Sequence, residues 1–155
     1  MDGKYIILEI IPDAISPKYG NIIQLSALKL DGLKLLDRFD YRLKYDKINN
    51  NDLRELISYD KNSFKYVDDY RKILDKFKKW SKGLPLLIID NTYTYNFLED
   101  IDNEKKSIFT YLGLEYSDDV IDKVIQKYNL KPSNYIVDLL YEALIYESNN
   151  RGKNK

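Results

Sequence analysis

Two carboxylates stand where a charge is costly. Glu9 interrupts the otherwise apolar run from Lys4 to Ile11, and Asp138 lies between Val137 and Leu139 on an apolar helical stretch. Two others sit at the edges of apolar runs. Asp13 falls in the Pro- and Gly-bearing segment Pro12–Gly20, and Asp90, with Asn91, follows the run Leu84–Ile89. Glu99, Asp100 and Asp102 form an acidic run that reads as a solvated helix end. The 155 residues include no histidine and no cysteine. That excludes zinc sites built on those residues, iron–sulfur clusters, disulfides, thiol nucleophiles and Ser-His-Asp triads. It also removes the side chain whose ordinary pKa lies near neutrality. Carboxylates with a hard metal, Lys, Tyr, or Ser without His are the chemistry that remains.

The bulk composition narrows the partners. Lys plus Arg and Asp plus Glu are 25 each, so the net charge is zero. Arg151, Lys153 and Lys155 form a basic end with no acid among residues 151–155, which leaves residues 1–150 at −3. A sequence-independent nucleic-acid coat needs a basic groove, and this balance supplies none. Fifteen tyrosines could stack bases, but without such a groove they read as half-buried core and surface residues. The first apolar run is too short for a signal-peptide core or a membrane span, so a cytoplasmic protein without membrane contact is expected.

The elements that must position the carboxylates follow from periodicity. Lys4–Ile11 reads as a strand buried on both faces. Asn21–Leu30 alternates and reads as a second strand, Asp31-Gly32 as a hairpin turn, and Leu33–Leu43 as a third strand. Asp52 with Glu55 forms a capping box before Leu53, Leu56 and Ile57. Val67, Tyr70, Leu74, Phe77 and Trp80 recur at helical spacing up to Gly83. Leu84–Ile89 reads as a short strand with Pro85 at its start, Thr94–Ile101 as a helix and Ser107–Leu112 as a further strand. Ser117 is placed as the cap of a helix with the stripe Val120, Ile121, Val124, Ile125 and Tyr128. Pro132 opens the last helix, to about Glu147. One domain over residues 1–148 and a disordered basic tail over 149–155 are expected, in an α/β layout with a mixed sheet.

Three segments carry a resemblance. Tyr5-Ile-Ile-Leu-Glu-Ile-Ile-Pro-Asp-Ala-Ile-Ser-Pro17, followed by Gly20-Asn-Ile-Ile-Gln-Leu-Ser-Ala-Leu-Lys-Leu30, resembles the first two strands of the DnaQ-like, or DEDD, 3′–5′ exonucleases. Pro85-Leu-Leu-Ile-Ile-Asp-Asn-Thr-Tyr-Thr-Tyr-Asn-Phe-Leu98 resembles that family's middle motif, and Ser133–Leu144 lies where its last motif falls. The resemblance covers roughly residues 4–147. It implies a ribonuclease H-like fold: a mixed five-stranded sheet, an antiparallel β1-β2-β3 meander plus parallel strands, flanked by helices.

The family holds two divalent metals about 3.5–4 Å apart on four carboxylates, with a His or Tyr taking the proton. Position by position, the resemblance puts Glu9 at the first carboxylate, Ile11 at the second, Thr94 at the third and Asp138 at the fourth. Ser133 stands at the catalytic His. The tyrosine subtype's base position holds Asn134, and Tyr135 falls one residue later, about 100° around the helix. The degenerate positions are therefore Ile11, Thr94 and Ser133, and the remnant metal ligands Glu9 and Asp138. Asp13 and Asp90 are auxiliary candidates. Each has a plainer reading: Glu9 an exposed or Lys-paired strand end, Asp138 a helix position at the core edge, Asp13 a turn former, and Asp90-Asn91 the cap of the next helix.

The resulting expectation is a degenerate exonuclease-fold pseudoenzyme. It is a binding or scaffolding module in a nucleic-acid-related context, with a protein partner and no cofactor. A divergent Mg- or Mn-dependent 3′–5′ exonuclease (a phosphodiester hydrolase acting on single-stranded DNA or RNA) is the first alternative. A nucleic-acid binder that does not cleave is the second.

Overall fold

The computed structural model describes residues 3–12, 22–47, 64–133 and 135–153. Asp13, Asn134 and the Asp52–Glu55 capping box lie outside them. A six-stranded mixed sheet forms the middle layer, in the order β4-β3-β2-β1-β5-β6. The strands are β1 (Lys4–Pro12), β2 (Ile22–Asp31), β3 (Lys34–Leu43), β4 (Lys65–Val67), β5 (Leu86–Ile88) and β6 (Lys105–Ser107). β1, β2 and β3 run antiparallel, and the remaining pairings are parallel. The helices are α1 (Tyr70–Trp80), α2 (Thr92–Phe97), α3 (Ile108–Tyr111), α4 (Val120–Tyr128) and α5 (Ile136–Lys153), with a 3₁₀ turn at Tyr45–Lys47.

β1 reads as a continuous apolar run because helices cover both of its faces. Tyr5 and Ile7 enter a core with Leu28, Leu30, Leu87 and the buried faces of α3, α4 and α5. Ile6, Leu8 and Ile10 enter the opposite core with Leu25, Ala27, Phe39 and the α1 residues Ile73 and Phe77. The hairpin between β2 and β3 turns at Gly32-Leu33, one residue later than the sequence indicated. Gly32 has φ +60°, the positive value that a two-residue hairpin loop needs at its first position. Tyr5 and Tyr141 fasten this loop, their hydroxyls donating to the Gly32 and Leu33 carbonyls, both at 2.7 Å.

Among the described residues the sheet has six strands, not five. Lys65–Val67 pairs with Tyr41–Leu43, and α1 starts only at Tyr70, so Val67 belongs to a strand and not to the helical stripe. The break is local: Asp69 is the N-cap, its carboxylate accepting the Arg71 N–H at 2.9 Å. Ser107–Leu112 is largely helical. Ser107 accepts from the Phe109 and Thr110 N–H groups, and the 1–2–5 spacing of Ile108, Phe109 and Leu112 buries one helical face. The helix expected over Thr94–Ile101 is α2, which starts two residues earlier, at Thr92, and ends at Phe97. Ser117 is not the cap of α4. Its hydroxyl donates to Asp119, the residue at the N-cap position, at 2.6 Å. Pro132 lies ahead of α5, which begins at Ile136 after Ser133 accepts the Tyr135 N–H at 3.0 Å. α5 continues to Lys153, past Glu147 and through residues 149–153, where a disordered tail was expected. Among the described residues no helix is long and apolar enough to cross a membrane.

Candidate functional site

Strand register places a polar patch on the sheet face that α5 covers. Glu9 of β1 lies beside Ser26 of β2, which lies beside Asp40 of β3. In the next row, Ile11, Gln24 and Arg42 are neighbours, and on the other side Ile7, Leu28 and Arg38. A bulge delivers the β3 members to this face. Leu30 pairs with Leu35 but Lys29 pairs with Asp37, so Leu36 is left without a partner in β2. Had the hairpin register continued, Arg38 would pair with Ala27, whose side chain enters the α1 core.

The N-terminal turn of α5 closes over the patch. Between them lies a cavity of about 10 Å³, lined by Glu9, Gln24, Ser26, Arg38, Asp40 and residues 135–138. That is room for about one water. Arg38 spans the cavity wall. Its Nη1 and Nη2 donate to the two Asp138 carboxylate oxygens at 2.9 and 3.2 Å, and its Nε donates to Asp40 at 3.3 Å. The Asp138 and Asp40 carboxylates together raise the Arg38 pKa, with the Asp138 hydrogen bond the largest cause. The Arg38 and Asp138 side chains are 29% and 31% exposed, so solvent screens the pair, and its worth is about 1 kcal/mol despite two-pronged geometry. Asp40 is buried. Deeper in the patch, Arg42 donates to Gln24 Oε1 from Nε and Nη2 at 2.9 and 2.7 Å, and its guanidinium lies 4.0 Å from the Phe64 ring centroid.

The residues singled out from sequence separate. Glu9 and Asp138 line the same cavity. Glu9 is half-buried, and burial pushes its pKa up to about 8, so it carries a proton at neutral pH. Ile11 packs against Ile23 and Leu43. Thr94 is 2% exposed and occupied by the cap of α2, where the Asn91 Oδ1 accepts both its N–H (3.1 Å) and its hydroxyl. Ser133 is exposed beside the start of α5. Asp90 ends the β5 segment, with one buried carboxylate oxygen that has no hydrogen-bond partner among the described residues. Ile11, Thr94, Ser133 and Asp90 do not line the cavity. Glu99, Asp100 and Asp102 are exposed beyond α2.

A divalent metal does not fit this donor set. Asp138 and Asp40 already share one resident cation, the Arg38 guanidinium, which a metal would have to displace. Among the described residues no three His, Cys, Asp or Glu side chains come together as a metal site. Sequence reasoning does not single out Arg38, Asp40 and Arg42 as site residues. Their signal was present: charges at every second position of a strand whose other face is Phe39, Tyr41 and Leu43.

No family model and no curated protein matches the sequence. Solved structures do. The chain is similar to exonuclease I in complex with an inhibitor, with TM-score 0.60, 10% identity, and coverage of 96% of this chain and 41% of that one. It is similar to product-bound exonuclease I, with TM-score 0.59, 10% identity and coverage of 96% and 43%. A zinc-bound complex of E. coli exonuclease I with single-stranded DNA gives TM-score 0.55, 11% identity and coverage of 96% and 40%. The fold is ribonuclease H-like. The chain spans about two-fifths of the length of these exonucleases.

Proposed function

We propose that this chain is a degenerate exonuclease-fold domain that does not hydrolyse nucleic acid and serves as a binding or scaffolding module in a nucleic-acid-related, cytoplasmic context. The observation that supports this most is the Arg38–Asp138 ion pair. It joins a permanent cation to Asp138, the residue that the resemblance puts at the family's fourth metal carboxylate. Apolar packing of Ile11 and the capping role of Thr94 agree with it. A protein partner is part of the proposal, and one similar structure is a complex of exonuclease I with an SSB C-terminal segment.

The test is incubation with Mg²⁺ or Mn²⁺ and 5′-labelled single-stranded DNA and RNA. The expected outcome is full-length substrate at all times. Shortening from the 3′ end that disappears in Asp138→Ala would overturn the proposal. It would favour the second reading, a divergent Mg- or Mn-dependent exonuclease, for which the shared cavity of Glu9 and Asp138 is the supporting observation.

A further inference from the structure

We propose that Arg38 is the built-in cation of this site, holding Asp138 and Asp40 together where the resembled family holds a divalent metal and thereby closing the site to metal ions. The inference rests on the reading of the chain as a degenerate exonuclease fold, but it concerns cation occupancy, not hydrolysis.

Three features carry it. The first is geometry. A guanidinium presents its donors in a rigid planar fork, and here both prongs meet Asp138 while Nε meets Asp40. One cation thus joins a carboxylate from the sheet and a carboxylate from the helix, as a bridging metal would. The second is charge. Two carboxylates and one guanidinium leave a single net negative charge. A divalent ion would have to displace a cation that has no proton to lose. The third is space. With Arg38 in place the cavity admits about one water, whereas Mg²⁺ and its kin keep several waters of their own. The bulge at Leu36 is what turns Arg38 toward this face, so the device is built into the β3 register and does not depend on a chance rotamer at the surface.

Removing the guanidinium should convert the site into a cation binder. The experiment titrates Mn²⁺ into the full chain and follows the melting temperature alongside the free Mn²⁺ electron paramagnetic resonance signal. Wild type is expected to show no Asp138-dependent binding and no shift in melting temperature. Arg38→Gln is expected to bind Mn²⁺ at least tenfold more tightly than wild type and to gain melting temperature with added Mn²⁺. Both effects should be lost in the Arg38→Gln, Asp138→Asn double variant and absent in Arg38→Lys, which keeps the charge. If Arg38→Gln is unfolded without metal, the same effect is read as refolding on Mn²⁺ addition by far-ultraviolet circular dichroism. Mn²⁺ binding by wild type that disappears in Asp138→Asn would overturn the inference, as would an Arg38→Gln variant that neither binds nor refolds with Mn²⁺. Failure of the inference is distinguishable from failure of the proposed function. Asp138-dependent metal binding without turnover sinks only the resident cation. Turnover sinks the non-catalytic reading, whatever the titration shows.

Discussion

At the residue scale, Glu9 and Asp138 arrive at one cavity in opposite electrostatic states. Asp138 is charged and held by Arg38, while Glu9 is driven toward the neutral form by burial. A carboxyl that keeps its proton in the folded state and loses it in the unfolded state destabilises the fold as pH rises. Between its ordinary value of 4.5 and about 8 the unfolded chain binds fewer protons. Stability therefore falls with pH across that window, by at most about 1.4 kcal/mol per unit, and levels off above it. Glu9→Gln removes the titration. Its melting temperature should exceed that of wild type by a margin that widens from pH 5 to pH 8, as thermal unfolding at each pH would show. A constant margin would mean that Glu9 is already ionised in the fold.

At the element scale, the start of α2 shows what the Thr94 side chain does in the fold. Asn91 caps the helix, and its Oδ1 accepts from both the Thr94 backbone and the Thr94 hydroxyl in a buried setting. Thr94→Asp would replace a donor with a second acceptor facing the first, away from water. The expected cost is about 2 kcal/mol or more, measured as a lower denaturation midpoint, with no nuclease activity gained when Ile11→Glu is added. Elements also show where sequence reading succeeds. β1, β2 and β3 were readable because their apolar patterns run for nine or ten residues. β4 was not, because three residues hold too little pattern and its strand state comes from pairing with the end of β3. The helical spacing at 108, 109 and 112 also reads as a strand, because a run of six residues fits either period.

At the scale of the whole molecule, charge balance bears on the partner. The chain carries no net charge, so binding to single-stranded nucleic acid has no general electrostatic pull behind it. Anisotropy titrations with a labelled oligonucleotide should show weak binding at 50 mM salt and none measurable at 200 mM. Tight binding with a steep salt dependence would instead point to a basic groove and favour the nucleic-acid binder. β1 contributes to the cores on both sides of the sheet while carrying Glu9 of the polar patch.

The amino-acid sequence by itself determined the chemistry that is absent and the α/β frame. Missing His and Cys are properties of composition, and long apolar periodicities force strands and helices whatever their neighbours. It also brought Glu9 and Asp138 forward, because a carboxylate in an apolar run stands out locally. What pairs with Asp138 was decided only in three dimensions. Arg38 and Asp138 are a hundred residues apart, and they meet because an unpaired Leu36 turns β3 over and α5 lays its first turn across the same face. Periodicity reports which side of an element is buried. It does not report which charge from a distant element will lie against it, and at this site that charge is a guanidinium.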